Sequence, residues 1–223
     1  MTAPVSKLDG PRIMPGSGGV PKQLVVFIHG YGADGNDLMS LGQHWRSVLP
    51  NAAFVSPHAA EPCAGNPFGG RQWFGLTMAD PQERWRGVEK AGPGLNAYLD
   101  EQLAEFGLGD DALALVGFSQ GTMMALHIGL RRPKKMAAIV GFSGALVEPN
   151  RLKADIKSRP PVLLVHGDRD EVIPVPALQQ ARTALAEAGV AVETHVSPGL
   201  THGIDGDGLD IGGRFLANAF KGA

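Results

Sequence analysis

Six short runs of this chain are rich in Val, Ile, Leu and Ala: Leu24–Ile28, Ala52–Ser56, Ala112–Val116, Met136–Phe142, Val162–His166 and Val190–Val196. Most are nearly apolar throughout. A strand with one face in water alternates polar and apolar side chains, whereas a strand covered on both faces reads as a continuous apolar run. Segments of helical character separate the runs: Asp37–Leu49, Pro81–Phe106 with a break expected at Gly92–Gly94, Gln120–Arg132, Pro176–Ala188 and Gly208–Phe220. Parallel strands need crossovers of this kind, so the expected class is α/β, a mostly parallel central sheet with helices on both faces. The chain has 223 residues, no internal repeat and no low-complexity linker. One domain over 1–223 is expected, with the Gly- and Pro-rich residues 1–21 forming a loop or edge segment that leads into it. The stretch from Pro57 to Gly75 is long for a connection, and long loops in compact domains often bind something.

Two glycine-rich turns follow apolar runs, and they compete to define the chemistry. The first, Gly30-x-Gly32-x-x-Gly35, matches the loop that cradles a dinucleotide pyrophosphate. That reading requires an acidic residue about 20 positions on, closing the next strand. The next strand ends at Ser56 and His58, and Glu61 comes only beyond a proline. The same turn can instead aim a backbone N–H at an oxyanion. The second turn, Gly117-Phe118-Ser119-Gln120-Gly121, lies between an apolar strand and an apolar helix. This is the setting of a nucleophile elbow, in which a tight strand-to-helix turn lifts a serine clear of the backbone. Ser143, in Gly141-Phe142-Ser143-Gly144, has its second glycine one residue too early and reads as a strand-end serine bonded to backbone.

A serine nucleophile needs a base, and the base needs an orienting acid. Asp168, Asp170 and Glu171 follow the fifth strand, and His195 and His202 follow them. His195 belongs to an alternating run and reads as a strand side chain. His202 lies in the loop beyond, where strand ends assemble sites, and is the better candidate base. Between Asp168 and Asp170 the residues alone do not decide: one could hold the imidazole while the other caps the loop. Glu171 is less well placed.

Taken together, "FIHGYGADGND", "GFSQGTMMAL", "HGDRDEVIP" and the late "THG" resemble the phospholipase/carboxylesterase family of α/β-hydrolases, in order and spacing from about Leu24 to Phe220. The resemblance implies an α/β-hydrolase fold without a large lid domain. It implies Asp170 as the acid of a Ser119–Asp170–His202 triad, and an oxyanion hole from the backbone N–H groups of Tyr31 and Gln120. Trp73 and Phe74, in "GGRQWF", match a segment near the acyl-binding groove; ordinary aromatic packing is the competing explanation. One departure stands out: Thr122 occupies a position where eukaryotic acyl-protein thioesterases usually carry glycine, and the "GTMMAL" form looks more like bacterial esterases. The expected activity is hydrolysis of short- to medium-chain carboxylic esters through an acyl-enzyme on Ser119. Acyl-protein thioesterase or lysophospholipase activity on the same triad is the alternative, and a non-catalytic binding protein on the same fold a remote one. Members of the family often pair, so the assembly the resemblance points to is a homodimer.

Composition narrows the partners. Twenty Lys and Arg stand against 22 Asp and Glu, a net charge of -2 with no block of like charge, which argues against nucleic acid and anionic membranes. The single cysteine, Cys63, excludes an intrachain disulfide and reads as a loop thiol. No basic start with an apolar stretch opens the sequence, and the apolar runs are too short to span a bilayer, so a cytoplasmic chain without stable membrane insertion is expected. The substrate is expected to be a small-molecule ester or thioester. No cofactor and no metal are expected: Asp205–Asp210 is acidic but lacks the order of a calcium loop, and His44, His58 and His127 lack ligand spacing. His29 and His166, each before a motif glycine, are expected to bond loop backbone near the site.

Overall fold

The computed structural model describes residues 7–63, 69–77, 80 and 82–222. Parts of the expected leading segment 1–21 and of the loop 57–75, together with Pro81 at the expected helix start, lie outside the described residues. In chain order the elements are β1 (Arg12–Ile13), β2 (Gln23–Ile28), α1 (Met39–Trp45), β3 (Ala52–Val55), β4 (Glu61–Pro62), β5 (Arg71–Gln72), α2 (Glu83–Phe106), β6 (Leu113–Phe118), α3 (Gln120–Gly129), β7 (Ala138–Phe142), α4 (Leu152–Asp155), β8 (Val162–Gly167), α5 (Pro176–Glu187), β9 (Val192–Ser197) and α6 (Gly206–Ala219).

The main sheet has seven strands in the order β1-β3-β2-β6-β7-β8-β9. All neighbours are parallel except β1, which runs antiparallel to β3. The six apolar runs are the six parallel strands. Their alternate side chains feed two separate cores. Leu24, Val26 and Ile28 of β2 join Leu113 and Leu115 of β6 beneath α2, α3 and α5. Val25 and Phe27 join Ala114 and Val116 beneath α1 and α6, around the almost fully buried Trp45. Burial on both faces explains why β2, β3, β6, β7 and β8 carry so few polar residues, while the edge strand β9 is only partly buried and carries more.

Three features depart from the sequence reading. The break expected at Gly92–Gly94 is absent: α2 runs through Pro93 without interruption. Buried Val88, Leu95, Leu99 and Leu103 lie on both sides of the proline and dock the whole helix on the core, which overrides the local penalty of one missing hydrogen bond. The short α4 and the β4–β5 hairpin, inside the long loop, were not expected either. The acidic stretch from Asp205 is helix-start chemistry: Asp205 caps α6 by accepting the Gly208 N–H at 2.8 Å. No helix among the described residues is long and apolar enough to cross a membrane.

Because six strands run parallel, their carboxyl ends emerge on one edge of the sheet. The loops after β2, β6, β7, β8 and β9 carry His29–Tyr31, Ser119–Gln120, Ser143, Asp168–Asp170 and His202 respectively. The fold thus gathers side chains separated by up to 173 residues at one rim, the place where such sheets bind ligands.

Candidate active site

Ser119 sits between β6 and α3 with φ 54 and ψ -115, a left-handed backbone that a non-glycine residue holds only when its surroundings force it. The surroundings do. A Cβ at Gly121 would come within 1.8 Å of the Ile28 carbonyl oxygen, and one at Gly117 within 2.5 Å of the Gly121 backbone. The two flanking glycines therefore let α3 start hard against β2 and β6. The Ser119 N–H donates to the Phe142 carbonyl at 2.9 Å. Thr122 reinforces the turn: its hydroxyl lies 2.8 Å from the Gly117 carbonyl and 2.9 Å from that of Phe142. Glycines at 141 and 144 make room for it, since a Cβ on either would approach the Thr122 side chain to 2.6 and 2.3 Å. Thr122 is thus matched by two small neighbours, one in β7 and one in the loop just after it.

Asp170 lies in the loop after β8 and is 5% exposed. One carboxylate oxygen accepts the N–H groups of Val172 at 2.9 Å and Ile173 at 2.8 Å. The other accepts the His202 Nδ1–H at 2.7 Å. Burial by itself would raise the Asp170 pKa; the His202 bond and the two backbone donors outweigh it, and the net shift is downward. The group is thus an anion at neutral pH, and in the neutral imidazole it holds the proton on Nδ1 and leaves Nε2, on the far side of the ring, as the acceptor. The His202 ring packs on Phe118, with ring centroids 4.9 Å apart, which sets it beside the elbow. Ser143 holds the same loop by donating its hydroxyl to the Gly203 carbonyl at 3.0 Å, as expected of a serine bonded to backbone. No hydrogen bond joins Ser119 Oγ to His202 among the described residues. Nucleophile–base links of this type are often loose before substrate arrives.

The remaining acid and base candidates fall elsewhere. Asp168 caps the opposite loop, accepting the Gly199 N–H at 2.6 Å. Glu171 is exposed. His195 is a strand residue paired with Val165, and its Nε2 has no partner among the described residues.

The turn after β2 lies directly on the elbow. A Cβ at Gly30 would stand 3.2 Å from the Phe118 ring and 3.4 Å from Ser119 Cβ, tighter than ordinary contact, so glycine lets the chain pass this close without displacing the elbow. His29, fully buried, braces the turn: Nδ1 is 2.8 Å from the Gly30 carbonyl and Nε2 is 3.1 Å from the Ala59 N–H. A carbonyl can only accept and an N–H can only donate, so the ring is neutral with its proton on Nδ1. Burial lowers its pKa, which keeps it so. The N–H groups of Tyr31 and Gln120 donate to no other group among the described residues. The first follows the Gly30 contact and the second opens α3, where the helix dipole favours negative charge.

Trp73 and Phe74 are 4% and 2% exposed and pack in the core, Phe74 against Gly87 of α2. They also knit the site together. Trp73 Nε1–H donates to the His29 carbonyl at 3.0 Å. The Gln120 side chain accepts the Trp73 N–H at 2.9 Å and donates to the Phe74 carbonyl at 2.8 Å. That clamp was not legible in the sequence, where Gln120 figured only through its backbone; its partners lie 47 and 46 residues away in a long loop. The buried Cys63 thiol beside it holds the Tyr31 phenol above its ordinary pKa. Tyr31 and Val172 are exposed, 39% and 65% accessible. Among the described residues no three His, Cys, Asp or Glu side chains cluster as metal ligands would.

With this geometry in place, comparison with known proteins is informative. The sequence profile of the family described as phospholipase/carboxylesterase matches residues 10–219. The esterase YpfH of Escherichia coli (strain K12) is 30% identical over 184 residues, 82% of this chain and 77% of that protein. Acyl-protein thioesterase 1 of Neurospora crassa is 29% identical over 208 residues, 86% of this chain and 84% of that protein. The crystal structure of esterase PE8 superposes with a TM-score of 0.91 at 47% identity, covering 96% of this chain and 99% of that one.

Proposed function

Because the chain belongs to the phospholipase/carboxylesterase family, we propose that it is a serine carboxylesterase acting through an acyl-enzyme on Ser119, with His202 as base and Asp170 as acid. The observation that carries this reading is the 2.7 Å bond from His202 to a buried Asp170, on a ring packed beside the Ser119 elbow. Ser119 Oγ attacks the ester carbonyl and passes its proton to His202 Nε2. The resulting imidazolium is stabilised by the Asp170 carboxylate, which does not itself take the proton. The carbonyl oxygen, now an anion, is received by the N–H groups of Tyr31 and Gln120; a donor of this kind contributes about 10²–10³ in rate. His202 then protonates the leaving alkoxide. Water, deprotonated by the same imidazole, releases the acid and restores the serine.

An α/β-hydrolase fold without a large lid domain supports short to medium acyl chains. The thioesterase reading has its own support in the fungal relative's name, and the same acyl-enzyme would serve it. A panel of p-nitrophenyl esters of increasing chain length, palmitoyl thioesters and lysophospholipids separates the readings. The expected result is a maximum in kcat/KM among the short to medium esters. A maximum on the long-chain thioester or the lysophospholipid would transfer the assignment to that class.

A further inference from the structure

Asp170 has a further polar neighbour that the proposed mechanism does not use. His166, the last residue but one of β8, is 2% exposed and has Nε2 2.7 Å from the Ile173 carbonyl, with Asp170 Oδ2 3.3 Å away. A carbonyl can only accept, so Nε2 carries the proton and donates it to Ile173. The Oδ2 atom it approaches is the one that holds His202. Ile173 closes the circuit, since its N–H donates to Asp170 Oδ1 while its carbonyl receives the His166 proton. The loop that holds the acid is therefore tied through Ile173 to a buried strand of the sheet.

We propose that His166 is a positioning residue for the reaction, setting the orientation of the Asp170 carboxylate and, through it, of the His202 ring. The proposal rests on the reading of Asp170 and His202 as acid and base. A loop carboxylate with only backbone donors from its own loop can rotate as the loop breathes. His166 ties the loop, through Ile173, to the sheet that also carries the Ser119 elbow, and its ring stands 3.3 Å from the carboxylate. Small errors in the aim of a catalytic group are costly, because reacting atoms must meet within a few tenths of an ångström.

The test compares His166→Ala, His166→Gln and His166→Asn on p-nitrophenyl acetate, with kcat expressed per active site titrated by a fluorophosphonate. The amide nitrogen of glutamine falls near the place of Nε2; that of asparagine falls near Nδ1. His166→Ala is expected to lose roughly 10- to 100-fold in kcat. KM should stay within about twofold of wild type, since substrate does not touch His166. His166→Gln is expected to recover most of the loss and His166→Asn little of it. If His166→Ala does not fold, the glutamine and asparagine variants decide the matter between them. Wild-type kcat per titrated site in the alanine variant, or equal rates in the glutamine and asparagine variants, would overturn the proposal. A wild-type protein that turns over no ester would instead overturn the esterase reading, and the proposal with it.

Discussion

Ser119→Ala is expected to reduce kcat on acyl esters by on the order of 10⁶ while leaving the protein folded. The size of the loss follows from the role: without the hydroxyl no acyl-enzyme forms, and what survives is the contribution of substrate binding and the two oxyanion donors, about 10³–10⁴ over water. The tolerance of the fold follows from the geometry. The turn is held by the Ser119 N–H on Phe142 and by the Thr122 hydroxyl on Gly117 and Phe142, none of which involves the serine side chain. The positive φ at 119 is as uncomfortable for alanine as for serine, so the strain is unchanged. Steady-state kinetics beside a thermal melt checks both halves. A variant with an unchanged melt and more than a tenth of wild-type kcat would remove Ser119 from the nucleophile's role.

Asp170→Asn is expected to cost about 10⁴ in kcat, for a subtler reason. The side-chain oxygen of asparagine can still accept the Val172 and Ile173 N–H groups, which anchors the residue as in wild type. Its NH₂ then takes the place of the oxygen that receives the His202 Nδ1–H. Two donors face each other, and the imidazole relieves the conflict by carrying its proton on Nε2 instead. In that tautomer it cannot accept a proton from Ser119. Rates measured across neutral pH, with circular dichroism to confirm folding, check this; a loss smaller than tenfold would mean that Asp170 does not set the tautomer.

The parallel sheet was legible because burial on both faces leaves a plain mark: runs such as Leu24–Ile28 have no polar positions to spare. The Ser119 elbow was legible for a similar reason, as its geometry excludes a Cβ two residues on either side. The choice of Asp170 over Asp168 was not available from the residues alone, since both lie in one loop with the same parity, and only the resemblance pointed to Asp170. In the structure Asp170 turns inward to His202, whereas Asp168 turns to Gly199. Pro93 misled because its penalty is local while the packing that offsets it is not. The Gln120 clamp and the second contact of His166 left no sequence signal at all. Both are meetings of side chains with groups that only the folded chain brings near, and neither residue type announces its partner. The opening Gly30-x-Gly32-x-x-Gly35 satisfied a dinucleotide pattern, yet Gly30 is explained by its contact with the elbow.

The central claim is that Ser119 is the nucleophile, and stoichiometric labelling with a fluorophosphonate followed by peptide mass mapping tests it most directly. The expected result is one phosphonyl group per chain, carried by the peptide that contains Gly117-Phe118-Ser119-Gln120-Gly121 and absent from Ser119→Ala. An unlabelled wild-type protein, or a label found on another residue such as Ser143, would contradict it.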